Sequence, residues 1–315
     1  MEILADFLVI GPGGLYCKYG DFYIDPIHAV RQAVISHAHG DHAVPGNVYF
    51  WSTPATAAIA KYRHGRQNNT HYEQVHFGQE FKIGSVHLKL IPAGHILGSA
   101  QILMEYQGVK YLYTGDYKLQ SDETCEPISP VQADVMITES TFANPTIKHP
   151  HPDSEICKFN NTSFNVMLGC YSLGKAQRLN ALIQANCPGK TVLLHHSILP
   201  IHKIYEQFGI NQLRYLPFDR KLMKQATSNY IYLVPPVTFN NHHRAKNLLR
   251  AFASGWSHHH AVNDISIFIS DHADWDDIIS YVNKVQPKEI WTLHGKGEHL
   301  QQYFKDKIPV KVLNQ

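Results

Sequence analysis

The stretch Ser36-His37-Ala38-His39-Gly40-Asp41-His42 decides how the rest of the chain is read. It directly follows the apolar run Ala33-Val34-Ile35 and packs four metal-ligand side chains into six residues. On a strand, alternate side chains share a face, so His37, His39 and Asp41 are expected to point one way. A turn at Gly40 would bring His42 round to the same place. Imidazole mixed with carboxylate is the donor set that borderline-soft divalent cations such as zinc prefer. A solvated histidine-rich loop is the competing reading, and it suits a lone histidine better than this spacing.

Working outward, the same residue types recur at strand ends. His95 lies in Pro92-Ala93-Gly94-His95-Ile96-Leu97-Gly98-Ser99-Ala100, Asp116 in Tyr113-Thr114-Gly115-Asp116-Tyr117, and His272 in Ile269-Ser270-Asp271-His272-Ala273-Asp274-Trp275. The glycines before His95 and Asp116 let backbone approach a ligand closely. Any one of these could be a turn histidine or a capping aspartate; the set is hard to explain by capping.

The bulk properties bound this reading. The chain has 315 residues, 44% hydrophobic and 17% charged, a globular composition. Its net charge of +2 is too mild to announce a nucleic-acid binder, so local basic patches would have to do that work. Histidines number 22 against 28 Lys and Arg, which makes their spacing worth following. The five cysteines, Cys17, Cys125, Cys157, Cys170 and Cys187, form no CxxC pair. A zinc ribbon or disulfide framework is therefore not expected, and a reducing compartment is favoured. The N-terminal MEILADFLVIGPGG lacks the features of a signal peptide, and no apolar run is of membrane-spanning length. The expectation is a soluble cytoplasmic protein.

The first half reads as short strands bounded by Gly, Pro, Asn or Asp, with one helix after Thr53-Pro54. Pro and Asn cluster at Phe142–Pro152, a crossing between subregions. Residues 153–250 alternate strand and helix patterns, which suggests βαβ units on a small parallel sheet. A helix is expected at NHHRAKNLLRAFA, residues 241–253. The last stretch returns to the first pattern, with the amphipathic helix DWDDIISYVNKV and the strand EIWTLHG. The expected organisation is an α/β sandwich built from residues 1–145 and 251–315, with an α/β insert over 146–250.

Three further sites stand out. Leu173-Gly174-Lys175-Ala176-Gln177-Arg178 opens a helix, where free N–H groups and two cations would suit a phosphate. An ordinary amphipathic helix with solvated Lys175 and Arg178 is the plainer reading. His294 ends a strand in Trp291-Thr292-Leu293-His294-Gly295, and it either meets substrate phosphate or caps the strand. Residues 258–260 are three consecutive histidines.

HAHGDH, AGHILGSA, YTGDY and ITEST, in that order, resemble the metallo-β-lactamase fold. SLGKAQR, SGW at Ser254-Gly255-Trp256 and SDHADW resemble its β-CASP nuclease branch. The resemblance is nearest to ligase-associated DNA exonucleases, which are similar to DNA cross-link repair nucleases and to the endonuclease of mRNA 3′-end maturation. It implies an αββα sandwich carrying an inserted small α/β domain, and two divalent metal ions, Zn2+ or Mn2+. By the same resemblance His37, His39 and His95 would hold the first ion and Asp41, His42 and His272 the second, with Asp116 bridging. Glu139, in ITEST, would support the site from behind the ligands, and Asp25, in YIDP, would be structural. Asp41, Glu139 and His260 are the residues counted with the catalytic machinery. His260 stands where the ligase-associated group offers an arginine, so it is a candidate general acid or phosphate contact, set against a plain surface histidine run. Lys175, Arg178 and His294 are the substrate-binding candidates.

The activity so implied is phosphodiester hydrolysis, with DNA favoured over RNA and an exonuclease acting in repair. A DNA ligase and a helicase would be partners by family analogy, and no membrane is involved. An RNA-processing nuclease shares the chemistry. A small-molecule hydrolase would not need the insert with its basic helix start. An idle scaffold would have lost ligands, and all seven are present.

Overall fold

A computed structural model of the chain describes residues 2–224, 229–241, 248–256, 263–295 and 297–313. It divides into two compact units, one of residues 1–148 and 272–315, the other of residues 149–271.

The first unit contains, among the described residues, a six-stranded sheet over residues 9–74 and a seven-stranded sheet. The second sheet runs from Glu80–Ile83 through Val109–Tyr113 to Val135–Ser140, Glu289–Gly295 and Val310–Val312. Strand alternation explains its layering. Val34, Tyr111, Tyr113, Val135, Ile137, Trp291 and Leu293 all join one core between the two sheets. Their neighbours face the other way. Ala33 and Ile35 pack with Ala60 of the helix Pro54–His64. Leu112, Met136 and Ile290 pack with Ile278, Tyr281, Val282 and Leu300 of the helices Trp275–Val285 and Glu298–Phe304. The result is helix, sheet, sheet, helix, the αββα arrangement expected from the sequence.

The helix Trp275–Val285 starts where Asp274 accepts a hydrogen bond from the Asp277 backbone N–H. Burial, with Asp274 and Asp276 nearby, pushes the Asp277 carboxyl up to about 6. An acid raised in the folded state favours folding only while protonated, so its penalty grows as pH rises from about 4 through 6. Asp277→Asn is therefore expected to be the more stable form at pH 7.5, by about 1 kcal/mol after solvent screening of this half-buried group. The gain should vanish below about pH 4. Urea denaturation at both pH values measures it, and equal stability of the two proteins at pH 7.5 would refute the account.

Among its described residues, the second unit holds one parallel sheet in the order 216–217, 191–194, 230–234, 165–169, 248–253 and 265–267. Val166, Leu168, Leu194, Ile231 and Leu233 face one core with Ala176, Leu179 and Ile183 of the helix Lys175–Asn186. Met167, Leu193, Tyr232 and Val234 face a second core with Phe239.

Two expectations about the chain's layout need correcting. Leu248–Ala253 is a strand paired with Asn165–Gly169, not the end of a helix. Leu249, Ala251 and Ala253 go to one core and Leu248 and Phe252 to the other, a period of two that LLRAFA satisfies as readily as a helical one. The return to the sandwich consequently comes at His272 rather than at 251, because Leu248–Ala253 and Ile265–Ile267 complete the second unit's sheet. No described helix is long and apolar enough to cross a membrane.

Candidate metal centre

The strand Gln32–Val34 ends before the histidine motif begins, and residues 39–43 form a turn in which the His42 and Ala43 N–H groups donate to the His39 carbonyl. This turn separates the side chains differently from a strand. His37 and His42 are buried and His39 half-buried, whereas Asp41 keeps 83% of its side chain exposed. Strand alternation does not apply across the turn. Asp41 thus stands at the rim, its Oδ2 3.8 Å from His42 Nε2, outside the tightest donor groups.

Three imidazole nitrogens converge. His39 Nδ1 lies 3.0 Å from His37 Nε2 and 3.1 Å from His95 Nε2. One donor atom each from His37, His39, His95 and Asp116 falls within 4.8 Å of the others. Asp116 faces the whole cluster with a single oxygen. Its Oδ2 is 3.4 Å from His42 Nε2, 3.6 Å from His37 Nε2, 3.8 Å from His95 Nε2 and 3.9 Å from His272 Nδ1. Asp116, Glu139 and His272 form a second close donor group. Gly115, at φ 55°, permits this approach: a Cβ there would come within 2.9 Å of the Ser36 side chain.

Asp25 fixes the proton positions. It accepts from the Ser36 backbone N–H at 2.7 Å, Ser36 Oγ at 2.5 Å, His42 Nδ1 at 2.8 Å and the Tyr113 hydroxyl at 3.0 Å. Ser36 spends its proton on Asp25, so its oxygen accepts from His37 Nδ1, 3.0 Å away. His37 then carries its proton at Nδ1 and turns a bare Nε2 toward Asp116, while His42 gives its Nδ1 proton to Asp25 and turns Nε2 toward Asp116. This is the arrangement in which a carboxylate behind a histidine prepares it for a cation. Burial holds the His37 and His95 imidazoles well below the ordinary range, which keeps them neutral. Burial would lower His42 too, but Asp116 and Asp25 outweigh it and raise that imidazole in the metal-free fold. Burial would raise Asp116, and the nearby His42 and His272 instead hold it well below the usual carboxylate range. Neutral His37 and His95 beside the ionised Asp116 fit a divalent cation by donor type, burial and protonation, and a cation there would take the place of the extra His42 proton.

Loss of the Asp25 acceptor should therefore be felt at the ligands. Asp25→Asn is expected to weaken metal affinity about 10–100-fold, the range for partners behind a ligand. Competition against a chromogenic chelator reads this directly, and unchanged affinity would show that Asp25 does not set the tautomers.

Glu139 stands closer than expected. Its Oε2 is 2.9 Å from His272 Nδ1, and its Oε1 accepts from the Tyr117 N–H. It lies among the donors rather than only behind them. His294 sits at the edge of the group, exposed, with its ring 5.7 Å from that of His42. Its φ of 51° is in the left-handed region that few side chains adopt without cost.

The other substrate-binding candidates do not reach solvent. Lys175 is 4% exposed, donating to the Ile269 carbonyl and pairing with Asp271 at 3.1 Å. Arg178 is 1% exposed, donating to the Ser270 carbonyl and to Asp271 at 2.8 Å. These cations hold the second unit's own chain, so the expectation that they take substrate phosphate is corrected. His260 lies outside the described residues.

Two residues were missed by the sequence reading. Lys118, fully buried, donates to the His95 carbonyl at 2.5 Å and pairs with Asp122 at 2.9 Å. Arg63 donates to the Ala38 carbonyl at 2.5 Å and packs against Gly40, so it braces the histidine turn. Nothing in their spacing announces either one, because both act on backbone carbonyls.

Fold and donor set together define a metallo-hydrolase of the metallo-β-lactamase type, and comparison with known proteins agrees. Residues 258–313 match the family described as the Zn-dependent metallo-hydrolase RNA specificity domain. A probable DNA ligase from Opitutus terrae is 29% identical over 313 residues, covering 93% of this chain and 30% of that protein. The endoribonuclease ysh-1 of Neurospora crassa is 33% identical over 117 residues, covering 34% of this chain and 14% of its own length. Cleavage and polyadenylation specificity factor 73 of Drosophila melanogaster is 32% identical over 118 residues, covering 34% and 17%. A solved Enterococcus faecalis protein of unknown function shares the fold, with a TM-score of 0.61 at 13% identity, covering 90% of this chain and 79% of that one. The chain is thus similar to metallo-β-lactamase nucleases of the β-CASP branch, and it spans less than a third of the length of these curated relatives.

Proposed function

We propose that the chain is a two-metal nuclease that hydrolyses phosphodiester bonds, a DNA exonuclease of repair working in the cytoplasm beside a DNA ligase and a helicase. The observation that carries the reading is the single Asp116 oxygen lying 3.4–3.9 Å from four imidazole nitrogens. One carboxylate facing two histidine groups suits a pair of cations sharing a ligand. His37, His39 and His95 would hold one ion, His42 and His272 the other with Asp41 from the rim, and Asp116 both. Glu139 would steady His272. Zinc or manganese ions would supply Lewis acidity and a nucleophile at neutral pH.

The chain's own groups do the positioning. Asp25 and Ser36 keep the ring protons away from the ligand side. Lys118 and Arg63 hold the two loops that carry His95 and His39. His294, exposed beside His42, is placed to meet a substrate phosphate. Support for DNA comes from the Opitutus terrae relative, described as a probable DNA ligase, which matches 93% of this chain. The endoribonuclease relatives and the RNA specificity domain over residues 258–313 favour a second reading, an RNA-processing nuclease on the same centre.

Metal-free protein incubated with end-labelled single- and double-stranded DNA and RNA, with zinc or manganese added back, separates them. Stepwise shortening of DNA supports the first reading, and preferential RNA cleavage the second. If two metals bind and no nucleic acid is cut, the nuclease assignment fails.

A further inference from the structure

Residues 214–224 carry Arg214, Arg220, Lys221 and Lys224 against one acid, Asp219. That local excess is larger than the +2 of the entire chain. All four cations are exposed, and no ion pair with another described residue engages their side chains. The short helix Arg220–Lys224 partly covers its other face. Leu222 and Met223 pack on the core formed by Met167, Leu193, Tyr232 and Phe239. Arg220 and Lys224 are therefore neighbours at i,i+4, and Lys221 and Lys224 at i,i+3, where like charges weaken a helix. The sequence keeps that cost and places no acid within the helix to relieve it.

An aromatic group lies next to these charges along the chain, two residues before Arg220. Phe218 stacks on Tyr232, centroids 4.1 Å apart at 20°, yet remains 39% exposed. Leu216, 45% exposed, belongs to the two-residue strand Leu216–Pro217 at the sheet edge. A two-residue edge containing proline is a poor template for an added protein strand. Exposed cations flanking an accessible ring along the chain instead match a polyanion that carries flat apolar groups, with phosphates for the cations and bases for the ring.

We infer that this surface docks single-stranded nucleic acid, with Arg214, Arg220, Lys221 and Lys224 contacting the backbone and Phe218 stacking a base. The inference rests on the nuclease reading for its substrate class, but binding here needs no metal. A strand so held would be gripped without regard to sequence, because both phosphates and base faces are common to every nucleotide.

The test uses the full chain, metal-free, and a fluorescein-labelled oligothymidylate followed by anisotropy over a range of salt. The variants are the triple Arg220→Glu/Lys221→Glu/Lys224→Glu and the single Phe218→Ala, each checked for a wild-type melting curve. The triple variant should lose at least about tenfold in affinity. Its log-affinity against log-salt slope should flatten by about 2, from three lost phosphate contacts on a single strand. Phe218→Ala should weaken binding about fivefold or more and leave the slope unchanged. A folded triple variant with wild-type affinity and slope overturns the inference. Hydrolysis of bis(p-nitrophenyl) phosphate by the metal-loaded wild type is measured separately. Strand binding that fails in the triple variant, alongside a wild type that hydrolyses no diester, would keep the docking surface and remove the nuclease assignment.

Discussion

Asp116→Ala is expected to abolish hydrolysis and to lose at least one bound metal, while the fold is retained. Four imidazole nitrogens look at one Asp116 oxygen, so its removal disconnects both donor groups at once. Metal ions typically contribute several kcal/mol of charge stabilisation to a transition state, which corresponds to a loss on the order of 10³-fold or more. Other groups in the cluster cannot substitute. Glu139 is engaged with His272 and the Tyr117 N–H, and Asp25 is filled by Ser36, His42 and Tyr113. Asp116→Asn keeps the shape without the charge and should behave nearly as badly, because a neutral amide brings no anionic oxygen for the cations to share. Metal content per chain by mass spectrometry and turnover on a labelled strand give the two readings. A variant that keeps both metals and a tenth of the activity would place the shared ligand elsewhere.

What could be read from the sequence, and what could not, follows from how far apart the cooperating residues lie. His37, His39 and His42 announce themselves because their ligand types crowd into one turn. His95, Asp116 and His272 follow because each ends an apolar strand. Asp41 was expected to point inward by strand alternation, but the strand stops at Val34 and the motif is a turn, so the rule had lost its geometry. Lys175 and Arg178 look the same in sequence whether they face solvent or protein. The acid that decides the matter, Asp271, lies more than ninety residues away. LLRAFA fits two periods, and the parallel partners Asn165–Gly169 and Ile265–Ile267 select the strand. Local chemistry was legible, then, while pairings set by the fold were not.

Lys118→Met should be among the most destabilising single changes in the chain, and it should also reach the metal centre. The ammonium group is fully buried and its protons go to the His95 carbonyl, the Asp122 carboxylate and, more distantly, Cys125 Sγ. Methionine fills a similar volume, so little of the effect comes from a cavity. The cost comes from Asp122, which is left almost entirely buried without its cation. Breaking a buried pair from one side typically costs about 3–5 kcal/mol. At the same time the His95 carbonyl loses its anchor. Gly94 turns tightly there, at φ 76°, against the Lys118 carbonyl itself; Ser99 Oγ accepts from the His95 and Ile96 N–H groups, but the bond to the His95 carbonyl comes from Lys118. Metal affinity should fall with stability, whereas a purely structural lysine would lower the denaturation midpoint and leave the affinity of the folded protein alone. Lys118→Met combined with Asp122→Asn separates the two effects. Removing the stranded charge should restore most of the stability, but it does not restore the bond to His95. If the double variant recovers stability and still binds metal weakly, Lys118 positions the ligand. If metal affinity returns as well, its part is confined to packing.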